Sequence, residues 1–237
     1  MRHRVGTAGW AIPAAVRDRF PQGGTSLQRY AALLECAEIN SSFHRPHRPA
    51  TYLRWAEAVP DDFRFAIKMP KLITHQHRLR HCDGDLAAFA EQCAPLGAKL
   101  AVVLVQLPPS LGFDEDFGAF FLAVQAQFGG EIACEPRHAS WFAPEVDGWM
   151  AERRIARVAT DPARHPFADQ PGGWPGLRYY RLHGSPVIYR SAYERDALEP
   201  IATAIRADPA ISWCIFDNTA SSAAAGDALM LREVLGA

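Results

Sequence analysis

Short apolar runs closed by polar residues recur along this chain, and they alternate with stretches whose apolar positions repeat at helical spacing. Val5 to Trp10 reads as a first strand with glycines at its end. Gly23-Gly24 then breaks the chain, and Ser26 caps a helix with Leu27, Tyr30, Ala31 and Leu34 along one side. Cys36 to Ile39 is a second strand. Pro49 suits the first turn of a helix carrying Tyr52, Trp55, Ala56 and Val59, and Pro60 stops it. Phe63 to Lys68 alternates as a third strand. The polar, basic stretch from Met69 to Gly84 reads as a functional loop or a short helical insertion.

Leu86, Phe89, Ala90 and Cys93 mark the next helix. Leu100 to Gln106 is the clearest strand, apolar on both faces as a buried parallel sheet requires. Asp114 caps a helix with Phe117, Phe120, Phe121 and Val124. A fifth strand, Ile132 to Cys134, runs into Glu135-Pro-Arg-His-Ala-Ser-Trp141, and a helix follows from Phe142 to Glu152. Ile155 to Asp161 is a sixth strand, trailed by a proline- and glycine-rich stretch, Pro162 to Gly176, without a helical pattern. Leu177 to His183 is the seventh strand. Ser191-Ala-Tyr-Glu194 has capping-box form, Ile211 to Phe216 is the eighth strand, and Ala223 to Leu235 closes the chain as a helix.

Eight strands alternating with helices predict an α/β fold, a single (β/α)8 TIM barrel over residues 1–237, with the helix after strand six missing or replaced by a loop. About 250 residues is typical of such a barrel. A doubly wound sheet would usually carry a glycine-rich phosphate turn after its first strand, and Gly6-Thr-Ala-Gly9 lacks that spacing. No repeat or low-complexity linker divides the chain.

Composition narrows the function classes. At 237 residues and 49% hydrophobic content the chain can bury a large core. No apolar run approaches the roughly 20 residues needed to span a bilayer, and Met1 to Val5 leads into the first strand without a signal core, so a soluble cytoplasmic protein is expected. A net charge of −1 argues against a protein that coats duplex nucleic acid. Five cysteines without a C-x-x-C pair indicate neither a disulfide framework nor a zinc ribbon; Cys36, Cys93, Cys134 and Cys214 read as core fillers.

The candidate chemistry gathers at the predicted C-terminal strand ends, the face where barrel enzymes place their sites. Trp10, Glu38 with Asn40, Lys68, Gln106, Glu135 with Arg137, Asp161, Arg181 with His183, and Asp217 with Asn218 close the eight strands in turn. Glu38 and Asn40 share a face by strand alternation, as do Arg181 and His183, and so do Glu135 and Arg137 if the chain stays extended through Pro136. A set so rich in nitrogen suits a phosphate or carboxylate. Lys68, Arg137 and Arg181 would then hold the anion, with Asn40, Gln106 and Asn218 also contacting the substrate and Trp10 and Trp141 as pocket walls. Glu38 and Glu135 would act as acid or base, His183 as proton shuttle, and Asp161 as the group orienting a base.

The residues also resemble a known family. Gly6-Thr-Ala-Gly-Trp10, Glu38-Ile-Asn-Ser-Ser-Phe43, Phe65-Ala-Ile-Lys-Met-Pro70 with Ile73-Thr-His75, Gln106-Leu-Pro-Pro109, Glu135-Pro-Arg-His-Ala-Ser-Trp141, Arg181-Leu-His-Gly184 and Phe216-Asp-Asn-Thr219 are similar to the ordered motifs of the YecE-like family, domain of unknown function 72. The resemblance implies a TIM-barrel fold and carries no established activity with it. Three positions depart from the family pattern: His44 stands where Tyr is common, Pro136 where Phe is usual, and Asp217 where Asn is usual.

The leading expectation is an enzyme, hydrolase or isomerase, acting on a small polar anionic metabolite by general acid–base chemistry. A metal-dependent site using the same carboxylates and His183 around a divalent ion is the alternative for a cofactor. A non-catalytic binding barrel is a second class, and a basic loop, Lys68 to His81, contacting single-stranded nucleic acid or another protein is a third. His75, His77 and His81 cluster in that loop, but Gln76-His77-Arg78 lacks the Glu of a zinc-protease helix.

Overall fold

The computed structural model describes residues 3–236; Met1 and Arg2, read as the run-in to the first strand, lie outside them. The strands are β1 (His3–Ala8), β2 (Cys36–Ile39), β3 (Arg64–Lys68), β4 (Leu100–Gln106), β5 (Glu131–Glu135), β6 (Ile155–Arg157), β7 (Ala159–Asp161), β8 (Gly172–Gly173), β9 (Leu177–Leu182) and β10 (Ile211–Phe216). Outside them pack α1 (Ser26–Ala31), α2 (Pro49–Glu57), α3 (Asp83–Cys93), α4 (Phe117–Gln127), α5 (Pro144–Glu152), α6 (Arg195–Ala207) and α7 (Ala224–Leu235). The sheet order is β7-β9-β10-β1-β2-β3-β4-β5-β6-β8, parallel except where β8 joins β6. β6 and β7, near opposite ends of that order, are separated in the chain by Val158 alone. The sheet is therefore a nearly closed, barrel-like ring.

The sixth strand, expected as one piece, is split. Gly172 and Gly173 pair antiparallel with Arg157 and Ala156 and occupy the free edge of β6. β9 can then pair only farther along, with Ala159 to Asp161. Between Asp161 and Leu177 there is no helix among the described residues. In its place Ala168 O accepts from Thr160 N at 2.7 Å, and an apolar groove of about 550 Å³ opens between Tyr180, Leu182 and the α6 face of Ala197 and Ile201.

Alternation along the strands builds two apolar layers. Cys36, Ala66, Val102, Leu104, Ala133, Ala156, Val158, Leu177, Tyr179, Trp213 and Ile215 form a compact inner cluster, while the alternate strand residues join the large cluster beneath the helices. Register keeps the inner set in phase: Ala66 stands beside Val102, Leu104 beside Ala133, Ala133 beside Ala156, and Tyr179 beside Trp213. Small side chains are needed where the ring is tight. A Cβ on Gly6 would lie 2.1 Å from the Cys36 carbonyl oxygen of the neighbouring strand, a backbone atom that cannot swing away. Gly6→Ala is expected to cost about 1–3 kcal/mol as an overpacked site, read as a drop in thermal midpoint; an unchanged midpoint would show that β1 and β2 can separate freely.

Local signals differ in two places. Thr25, not Ser26, caps α1, because its hydroxyl accepts from Gln28 N while the Gln28 side chain returns a bond to Thr25 N. Ser26 Oγ instead donates to Trp10 O. The capping box expected at Ser191 does not form either: α6 begins at Arg195, and Ser191 Oγ accepts from Val187 N to close a preceding turn. No described helix is long and apolar enough to cross a membrane.

Candidate functional site

The inner face changes character at the C-terminal strand ends. Two residues beyond each apolar inner position stand Glu38, Lys68, Gln106, Glu135, Arg181 and Asp217, so the alternation that fills the ring also stacks charge on top of it. Arg181 sits at the centre, wholly buried. Its Nε and Nη2 donate to the two oxygens of Glu38 at 3.0 and 2.8 Å, Nη1 donates to Glu135 Oε2 at 2.6 Å, and Nη2 also reaches Asp217 Oδ2 at 2.9 Å. Tyr179 OH donates to Glu38 Oε2 at 3.1 Å from below. Arg137 takes the other Glu135 oxygen through Nε at 2.9 Å and Nη2 at 2.8 Å, so the two side chains meet across Pro136, just past the end of β5. His183 Nδ1 donates to Asp217 Oδ2 at 3.1 Å. Its Nε2 is buried without a hydrogen bond, 3.7 Å from Glu135 Oε1.

Charge pairing and hydrogen bonding override burial at Glu135, Asp217 and His183. Burial alone would raise the Glu135 carboxyl, but Arg181 and Arg137 hold it well below the ordinary value of 4.5. Asp217 is likewise lowered against its burial by Arg181 and His183. Burial pulls His183 down, and its bond to Asp217 together with the nearby Glu135 carboxylate more than reverses this, so the imidazole is shifted upward. Burial dominates at Lys68, which Arg181 lowers further, and its amine falls to about 8.

Above the cluster opens a cavity of about 500 Å³ lined by Asn40, Phe43, Lys68, Lys71, His75 and Gln106 on one side, and by Arg137, Tyr189 and Asp217 on the other. Its only lining carboxylate among the described residues is Asp217, already engaged by Arg181 and His183. His75 is lowered by burial and by Lys68, Arg137 and Lys71, and its Nδ1 lies 2.8 Å from Thr74 Oγ1.

Of the residues singled out from sequence, Glu38, Glu135, Arg137, Arg181 and His183 meet in one cluster, with Asn40, Lys68 and Gln106 at the cavity above it. Asp161 is not among them. It is in register with Leu182 on the outer face, and its Oδ2 accepts from Tyr193 OH at 2.5 Å. Asn218 also points away, donating to Ser191 O and to Asp227 of α7. Trp10 packs edge-on against Trp55 and Phe65, and Trp141 is buried with Nε1 on Leu111 O; neither lines the cavity. Lys71, His75, Phe43 and Tyr189 line it without having been chosen; His75 already stood in a motif, and Lys71 follows Lys68 by a single short turn. Among the described residues no three His, Cys, Asp or Glu side chains form a metal-holding group. The Arg181 guanidinium fills the space between the three carboxylates where a divalent ion would have to sit, and His77 pairs with Asp85 away from the other loop histidines.

The sequence profile of the family described as "Protein of unknown function DUF72" matches residues 4–237. The chain belongs to the DUF72 family. It is 35% identical over 164 residues to the UPF0759 protein YecE of Escherichia coli (strain K12), an alignment covering 66% of this chain and 58% of YecE, so it spans less than two thirds of that relative. The crystal structure of a DUF72 protein from Thermotoga maritima superposes with a TM-score of 0.80 at 22% identity, covering 100% of both chains. A DUF72 structure from Enterococcus faecalis gives 0.80 at 23% identity, covering 99% of this chain and 96% of that one. At such identities the two structures speak for the fold alone.

Proposed function

We propose that this DUF72 chain is a (β/α)8 barrel enzyme that acts on a small, polar, anionic metabolite by general acid–base chemistry at the C-terminal mouth. The observation that carries this reading is the cavity, whose lining holds Lys68, Lys71 and Arg137 against a single carboxylate already taken by Arg181 and His183. A carboxylate or phosphate would balance the charge of the two lysines, and Arg137, whose Nε and Nη2 are held by Glu135, would bind it through its remaining N–H groups.

The proton carriers follow from environments that drive two histidines apart. His183, raised by its bond to Asp217 and lining the adjoining cleft beside Arg137 and Tyr189, is assigned the acid. His75, lowered by burial and then by Lys68, Arg137 and Lys71, is assigned the base. Glu38 and Glu135 have both oxygens occupied by arginine, and in this reading they hold Arg181 and Arg137 in place. A small molecule fits better than a nucleic-acid strand, because Lys68 is buried and Arg78 is tied to Ser110.

Thermal-shift titration with inorganic phosphate and short carboxylates tests this. The protein should be stabilised, and Arg137→Ala should weaken binding about tenfold or more, the loss of a charge-assisted bond of about 1.5–3 kcal/mol. Exposed Lys71→Ala should weaken it less. If none of these anions stabilises the protein, or if Arg137→Ala responds as the parent does, the anion site is not there.

A further inference from the structure

Lys68 is the buried cation at the cavity, and no carboxylate holds it among the described residues. Three carboxylates stand close enough to raise its affinity for a proton, yet Glu38, Glu135 and Asp217 all turn to Arg181. Among the described residues its Nζ has neither a hydrogen bond nor an ion pair; its one contact is the Phe43 ring, 4.3 Å from Nζ to the centroid. The side chain is buried except for the face it turns to the cavity. The residue type is itself unusual here: of 25 basic residues only Lys68, Lys71 and Lys99 are lysines. An arginine at this point would supply the same charge but could never give up its proton.

We propose that Lys68 is a nucleophile, forming an imine with a small carbonyl compound that bears a carboxylate or phosphate. This rests on the anion reading above, with Arg137 and Lys71 holding the acidic group while Lys68 reaches the carbonyl carbon. The ammonium first gives up one proton. The free amine pair then attacks the carbonyl carbon, and the C=O π pair moves onto oxygen, which takes that proton. The carbinolamine so formed loses its oxygen as water with a second nitrogen proton, leaving a protonated C=N bond; ammonium and carbonyl thus become iminium and water at constant charge. His75 packs its ring edge-on to the same Phe43 at 5.1 Å and is assigned the ferrying of these protons, burial and the neighbouring cations favouring its neutral form. An amine lowered to about 8 supports the assignment, because at neutral pH it offers about a hundredfold more free amine than an ordinary lysine.

The full chain is incubated with pyruvate or with glycolaldehyde phosphate in cyanoborohydride, which reduces an iminium to a stable secondary amine, and the adducts are mapped by peptide mass spectrometry. Lys68 should carry about tenfold or more adduct than Lys71 or Lys99, given its larger free-amine fraction. The probe that labels better tells carboxylate from phosphate. Lactate and glycerol phosphate, which lack the reactive carbonyl, should raise the thermal midpoint without labelling. Lys68→Arg should lose the adduct and keep that midpoint shift, which also shows that the variant is folded. Equal labelling of the three lysines overturns the imine. Stabilisation by lactate or glycerol phosphate, with Lys68 left unmodified by both pyruvate and glycolaldehyde phosphate under cyanoborohydride, overturns it too, while the anion site stands. Should none of the four compounds stabilise or label the protein, both readings fall together.

Discussion

Arg181→Met should leave the protein unfolded or nearly so at neutral pH. The substitution keeps much of the side-chain volume and removes the one cation shared by Glu38, Glu135 and Asp217. Removing one partner of a buried ion pair costs about 3–5 kcal/mol because the other charge stays behind unpaired. Here three carboxylates lose their shared cation, and among the described residues Glu38 makes no other ion pair and keeps only the Tyr179 hydroxyl. Against a total stability of about 5–15 kcal/mol the loss is decisive. In a domain of this size each kcal/mol moves the midpoint by about 2–4 °C, so a drop well beyond 10 °C is the expected reading by circular dichroism.

Two companion variants show whether charge or shape is responsible. Arg181→Lys keeps the charge but not the planar fork that serves three acceptors at once, and should fall between the parent and Arg181→Met. Adding Glu38→Gln to Arg181→Met removes one stranded charge and should recover part of the loss, a coupling that a double-mutant cycle measures directly. If Arg181→Met melts within a few degrees of the parent, the cluster is not what holds the top of the ring together.

Much of this was legible in the sequence, and the part that was not has a simple cause. Strands β4 and β10 are apolar on both faces, so their limits follow from composition alone and coincide with the expected ones. The cluster itself follows from polar residues at strand ends. Asp161 and Asn218 were misassigned because position along the strand was used without its parity. Ala156 and Val158 belong to the inner cluster, so the inward phase falls on Thr160, beside Arg181, and Asp161 must face α6. Likewise Asn218 follows inward Asp217 by one residue and turns to α7. The split of the sixth strand was invisible for another reason: it depends on two glycines that pair back onto β6 from a segment with no strand pattern. His75 and Lys71 reach the cavity from the wide π-helical turn Leu72–Gln76 and the residue before it, where neither the strand nor the α-helix period announces direction.

Stability should fall steeply in acid, with Glu135 as a measurable part of the cause. Its carboxyl is held well below 4.5 in the fold, and that of Asp217 below 3.8. A group lowered by folding stabilises the native state above its unfolded-chain value, and the benefit is lost as pH falls through the folded value, because the unfolded chain then binds more protons. The midpoint should therefore stay level with respect to these two groups above about pH 5 and decline below it, down to the folded-state values. His183 has the opposite sign: its raised pKa stabilises the fold below 6.5, and this is lost as pH rises through the folded value. Surface acids blur the acid limb of any single curve, so the informative quantity is a difference. Glu135→Gln leaves Arg137 and one arm of Arg181 without a charge to meet and should cost about 3–5 kcal/mol at pH 7. It also deletes the titration at that position, so the gap from the parent should narrow as pH drops through the folded Glu135 value. A gap that stays constant across the acid limb would mean that Glu135 contributes by packing and neutral hydrogen bonds alone, and that the field of Arg181 and Arg137 does not govern its ionisation.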